Sequence, residues 1–136
     1  MHSSIVPGLV GTAETNVTYE QTAQALGSGL VPVYGTPSLI ALLEQAAVNA
    51  LLPHLEPGKT SAGLRVQVQH MAPTPVGMGV RATATLAAVD GRRLTFHVSA
   101  YDDVEQVADG SHDRVIVDEE RFVARATAKG GSGEVG

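Results

Sequence analysis

Three side chains of this sequence, Thr36, Glu44 and His70, have the types of a set that could work on a carbonyl group and are predicted to point toward the place where helix and sheet meet. Thr36 precedes Pro37 at the predicted start of a helix, where threonine is a good N-cap and proline fits the first helical position. Its hydroxyl would lie beside free backbone N–H groups at the positive end of the helix dipole, a suitable place for a developing oxyanion. Glu44 stands two turns further on. Around it, from Pro37 to Leu52, the only other non-apolar side chains after Ser38 are Gln45 and Asn49. An ionised carboxylate in such surroundings is costly unless paired or hydrogen-bonded. His70 ends the apolar side of a predicted strand, just before Met71-Ala72-Pro73-Thr74-Pro75 breaks the pattern. Imidazole titrates near neutrality and suits a general acid or base. Taken singly, these residues read as a cap, a structural carboxylate and a rim histidine. Together they supply a hydroxyl, a carboxylate and an imidazole.

The elements that must position them follow from periodicity. Residues 11–19 alternate in the two-residue period of a strand, and a loop with Gly27, Ser28, Gly29, Pro32 and Gly35 follows. The helix spans residues 37–52 and is stopped by Pro53. After Glu56-Pro57-Gly58, four strand-like runs are predicted at residues 62–70, 78–89, 92–101 and 104–118, the last extending through 119–126. Asp90-Gly91 suits a type I′ hairpin turn, and Gly110 a bulge. The expected fold class is therefore α+β, an antiparallel sheet of about five strands wrapped on one long central helix. One domain covers residues 1–128, and residues 129–136 form a flexible Gly-rich tail. A sheet with a single covering helix leaves edges that need pairing, so a homodimer formed through a sheet edge is expected.

Composition narrows the chemistry. With no cysteine, thiol nucleophiles, disulfides and Cys-based metal sites are excluded, and any nucleophile is a hydroxyl, a carboxylate or water. His54, His70, His97 and His112 lack the close, same-face spacing of metal ligands, so neither a metal nor another cofactor is expected. The net charge of -5 opposes nucleic acid as a ligand. No apolar run approaches the ~20 residues that span a bilayer, and the first residues lack the pattern of a secretory signal, so a cytoplasmic protein without a membrane partner is expected. No phosphate loop or G-x-S-x-G elbow is present. His112 and Arg114 share one face of the last strand, where Arg114 can grip a phosphate or carboxylate.

The stretches around these residues resemble the fluoroacetyl-CoA thioesterase group of the hot-dog superfamily. They are Thr36-Pro37-Ser38-Leu39-Ile40-Ala41-Leu42-Leu43-Glu44, Leu55-Glu56-Pro57-Gly58, Gly63 to His70 with Ala72-Pro73-Thr74-Pro75-Val76-Gly77, Gly91-Arg92-Arg93-Leu94, and Ser111-His112-Asp113-Arg114. The resemblance implies a hot-dog fold and hydrolysis of a short-chain acyl-CoA to free acid and CoA. It assigns Thr36, Glu44 and His70 as catalytic, and Gly63 and Arg114 as substrate-binding. Before Thr36 the fluoroacetyl-specific members place phenylalanines as a lid, whereas this loop has Gly27, Leu30, Val33 and Tyr34. A small acyl group enclosed by Leu30, Val33 and Tyr34, without strong preference for fluoroacetyl, is expected. Thr36 attack and Glu44-directed attack by water both remain open, with His70 as acid or base tuned by Glu44. The competing readings are a non-catalytic acyl-CoA-binding module and a hot-dog dehydratase or hydratase. The latter group carries an Asp and a His a few residues apart on a loop and helix, and no pair so placed is expected here.

Overall fold

The computed structural model describes residues 4–131. Five strands, β1 (Val10–Asn16), β2 (Lys59–His70), β3 (Gly79–Asp90), β4 (Arg93–Asp102) and β5 (Gln106–Asp118), form one antiparallel sheet in the order β1-β3-β4-β5-β2. A short helix, α1 (Ala23–Leu26), precedes the long helix α2 (Thr36–Leu51), and α3 (Glu119–Gly131) follows the last strand. The sheet curls around α2, as expected for a hot-dog fold.

Alternation builds the core. On β3, Val80, Ala82, Ala84 and Leu86 turn inward, and on β4 Leu94, Phe96, Val98 and Ala100 do the same. They meet Leu39, Leu42, Leu43, Ala46, Ala47, Ala50 and Leu51 of α2. Alanines on both surfaces let helix and sheet approach closely. The approach is tightest over Gly11, where an added Cβ would lie 2.1 Å from the Ala46 carbonyl oxygen and 2.4 Å from Ala50 N. Backbone atoms cannot give way as a flexible side chain can. Gly11→Ala should therefore cost about 1–3 kcal/mol of stability, seen as a lower urea midpoint with an unchanged slope. An unchanged midpoint would mean that α2 sits further from β1.

Several expectations change. Gly35, not Thr36, is the N-cap of α2; Thr36 is the first helical residue and makes no capping bond. The β3–β4 turn is centred on Gly91-Arg92, because Asp90 pairs with Arg93. Gly91 has φ of 62° and no non-glycine among the described residues has positive φ, which is the II′ pattern and not I′. Gly110 carries no register shift in either neighbouring ladder. Its role is close approach, since a Cβ there would lie 2.2 Å from the Gln67 carbonyl oxygen. The register shifts instead at Leu64 of β2, between Gly63 and Arg65, and at Val107 of β5, opposite Ala100 and Tyr101. Residues 119–126, read as a strand continuation, begin α3, whose N-terminal Glu119 and Glu120 favour a helix start. Lys129, Gly130 and Gly131 end that helix, and the rest of the expected tail, residues 132–136, lies outside the described residues.

α2 lies chiefly over β1 and β3, and β2 forms one edge of the sheet. Val66 pairs with the buried His112 across the ladder, yet is itself partly exposed, as is Leu64. Around Leu64 and Val66 this edge is left exposed.

Candidate active site

The first of two polar clusters lies at the start of α2. Thr36 Oγ1 is 2.8 Å from His70 Nδ1, joining the first residue of the helix to the last of β2. His70 Nε2 is buried and has no hydrogen-bond partner. Burial draws the imidazole below its ordinary pKa, with a weaker opposing pull from the Ala72 backbone. The ring is therefore largely neutral at pH 7 and able to take a proton from Thr36 or from water. At this helix end the N–H groups of Thr36 and Ser38 have no intrahelical acceptor, Pro37 has no N–H, and Gly35 N–H is bonded to the Gln21 carbonyl. Two N–H donors thus stand at this helix end, a setting that favours negative charge.

The cluster borders an open pocket of about 390 Å³, whose wall includes Ala23, Val31, Val33, Tyr34, Met71 and Pro73. The segment before Thr36 is more ordered than a plain loop. Thr22 bridges to Tyr34, Val33 bridges to Pro75, and α1 fills the bend between them. Val33 and Tyr34 line the pocket as expected; Leu30 does not, being 90% exposed. Tyr34 donates its hydroxyl hydrogen bond to the Ser38 carbonyl, and burial pushes its pKa up to about 12. It is a wall of the site and not its acid.

The second cluster surrounds Glu44. Its Oε2 accepts from Arg114 Nη1 at 3.2 Å and lies 3.8 Å from His112 Nε2. Arg114 is buried, with Nε donating to Ser61 Oγ at 2.8 Å and Nη2 to the Ser61 carbonyl at 3.1 Å. Gly63 opposes Arg114 in the β2–β5 ladder and leaves the carboxylate its place. A Cβ at Gly63 would stand 2.6 Å from Glu44 Oε2. Gly63→Ala should therefore displace the carboxylate and lower turnover by about 10-fold or more, with little change in melting temperature, because the carboxylate is a flexible end that can move aside. Steady-state kinetics beside thermal unfolding would check this; unchanged turnover would free Glu44 from a fixed position.

Within one chain these clusters are separate. Thr36 and His70 meet, and within the single chain no contact joins Glu44 to His70. The reason is helical rise: eight residues along α2 carry Glu44 ~12 Å from Thr36. Sequence reasoning missed Ser61 and the part played by His112. The alternation of His112 and Arg114 on one strand face was the available signal. Among the described residues no group of acidic, histidine or cysteine side chains has the arrangement of a metal site.

A curled five-stranded antiparallel sheet around one helix, with a hydroxyl–imidazole pair at the helix start, defines a hot-dog protein of the thioesterase type, and comparison agrees. A Thermus thermophilus thioesterase superfamily member superposes with a TM-score of 0.88 at 30% identity, covering 97% of this chain and 98% of that one. The fluoroacetyl-CoA thioesterase FlK gives 0.87 at 35% identity over 92% and 97% of the two chains. A variant of FlK solved with fluoroacetate and CoA gives 0.82 at 35% identity over 87% and 99%. The fluoroacetyl-CoA thioesterase of Streptantibioticus cattleyicolor is 42% identical over 97 residues, 71% of this chain and 70% of the relative. The profile of the fluoroacetyl-CoA-specific thioesterase family matches residues 17–120. The chain belongs to that family.

Proposed function

We propose that this acyl-CoA thioesterase acts on short acyl chains, with Thr36, Glu44 and His70 as its catalytic set and Gly63 and Arg114 supporting substrate at the site. The observation that carries the reading is the 2.8 Å contact between Thr36 Oγ1 and His70 Nδ1 beside the helix-start N–H groups and the open pocket. There the thioester carbonyl is polarised by the Thr36 and Ser38 N–H groups, and neutral His70 accepts the proton of the attacking group. Two nucleophiles fit. Thr36 Oγ can attack, its proton passing through His70 to the departing CoA thiolate, and water then hydrolyses the acyl-enzyme; or water directed by Glu44 attacks while Thr36 orients the carbonyl.

The protein acts as a homodimer in this reading. The edge strand β2, with Leu64 and Val66 exposed on it, supplies the surface. The two-fold partner supplies Glu44 to the Thr36–His70 pair of the first chain, since the chain's own Glu44 is two helical turns away. The compartment is the cytoplasm, where CoA thioesters are at hand; no described helix is long and apolar enough to cross a membrane.

Release of free CoA thiol from acetyl-, butyryl-, palmitoyl- and fluoroacetyl-CoA tests the function. Acetyl- and butyryl-CoA should exceed palmitoyl-CoA in kcat/KM, because the pocket at Thr36 is small and walled by Val33 and Tyr34. The fluoroacetyl-to-acetyl ratio should stay below about 200, the range that one small group earns in an apolar pocket. No thiol release from any of them would favour an acyl-CoA-binding module without catalysis.

A further inference from the structure

His112 lies in the middle of β5, 1% exposed, and the direct chemistry does not use it. Both ring nitrogens are nevertheless assigned by their neighbours. Nδ1 is 2.8 Å from the Arg65 carbonyl oxygen, which can only accept, so Nδ1 carries the hydrogen. Nε2 is 3.1 Å from Arg114 Nη1, which can only donate, so Nε2 offers a lone pair. The opposite tautomer would set donor against donor at Arg114 and leave the Arg65 carbonyl facing a bare nitrogen.

The consequence falls on Arg114. Its Nη1 has two hydrogens, one for Glu44 and one for His112, while Nε and Nη2 are occupied by Ser61. A planar guanidinium held along both edges cannot rotate, and the hydrogen on Glu44 then has a single direction. Remove the acceptor at His112 and a buried N–H is left without a partner, a state that drives the guanidinium to turn. We infer that His112 is a positioning residue of the thioesterase site, accepting from Arg114 so that Arg114 holds the Glu44 carboxylate in its working orientation. The inference rests on the reading of Glu44 as catalytic.

Two substitutions separate the two ring nitrogens. His112→Asn keeps a donor near the Nδ1 position for the Arg65 carbonyl and removes the acceptor facing Arg114. His112→Gln puts an amide oxygen near the Nε2 position. On acetyl-CoA, His112→Asn should lower kcat by about 10-fold or more with KM changed by less than about 3-fold, and His112→Gln should stay within about 3-fold of wild type. Combined with Glu44→Gln, His112→Asn should cost nothing further, because the carboxylate it helps to aim is gone. A loss of the same factor in both backgrounds, or equal losses in Asn and Gln variants, overturns the inference and leaves His112 a structural residue. A Glu44→Gln enzyme as fast as wild type overturns the reading of Glu44 and the inference with it. Should either variant fail to fold, nitrogen NMR of the wild-type ring decides: a proton on Nδ1 is expected, and a proton on Nε2 overturns it.

Discussion

Replacing His70 by alanine is expected to lower turnover on the best acyl-CoA by about 100-fold or more while the fold remains intact, the usual contribution of a general acid or base. The imidazole ends β2 with its Nδ1 on Thr36 Oγ1, and its removal leaves the hydroxyl with no base. The wild-type pH profile carries the same information. A base must be unprotonated, and burial lowers the His70 pKa from 6.5, so the neutral form persists as pH falls through that value. The acid limb of kcat/KM should therefore lie below pH 6.5. Turnover above a third of wild type in the alanine variant, or an acid limb above pH 6.5, would remove His70 from the proton transfer.

Glu44→Gln should be nearly as damaging, lowering kcat by about 100-fold. The amide oxygen still accepts from Arg114, so the substitution changes charge and leaves shape, and the buried guanidinium keeps a partner. That design separates chemistry from folding: melting temperature should hold while turnover falls. It also addresses the two nucleophiles. If Thr36 forms an acyl-enzyme and Glu44 serves water in the second step, mass spectrometry of the Glu44→Gln variant with acetyl-CoA should show acetyl on Thr36. A variant that turns over at the wild-type rate would take the carboxylate out of the mechanism.

How much of this was legible in the sequence depended on how local each signal is. The strand alternation of Val80, Ala82, Ala84 and Leu86 and the apolar run ending at Pro53 depend on neighbours alone, and the five strands and the long helix follow from them. The helix start moved by one residue because the extended Gly35 already accepts the first helical bond, from Leu39 N–H, so that it is the cap. α1 was hidden in a segment rich in glycine, held by bridges from Thr22 to Tyr34 and from Val33 to Pro75 that no spacing announces. α3 was masked because Phe122 and Val123 read equally well in a strand. At the site, family likeness put Thr36, Glu44 and His70 together, and Thr36 and His70 do meet. The division into two clusters was invisible because it depends on the curl of the sheet and on the rise of α2. Likewise the contacts of the Arg114 guanidinium to Glu44, His112 and Ser61 depend on the β2–β5 register and on where α2 lies against it.

That division makes subunit complementation the most direct test of a shared site. Glu44→Gln and His70→Ala chains, each nearly inactive alone, are co-expressed so that mixed dimers form. In a mixed dimer one site has lost both residues and the other retains Glu44 from one chain and His70 from its partner. With random pairing about half the dimers are mixed, and the preparation should recover about a quarter of wild-type CoA release from acetyl-CoA. Activity no higher than that of the two variants measured separately, in a preparation shown to contain mixed dimers, would contradict a site built from Thr36 and His70 of one chain and Glu44 of the other.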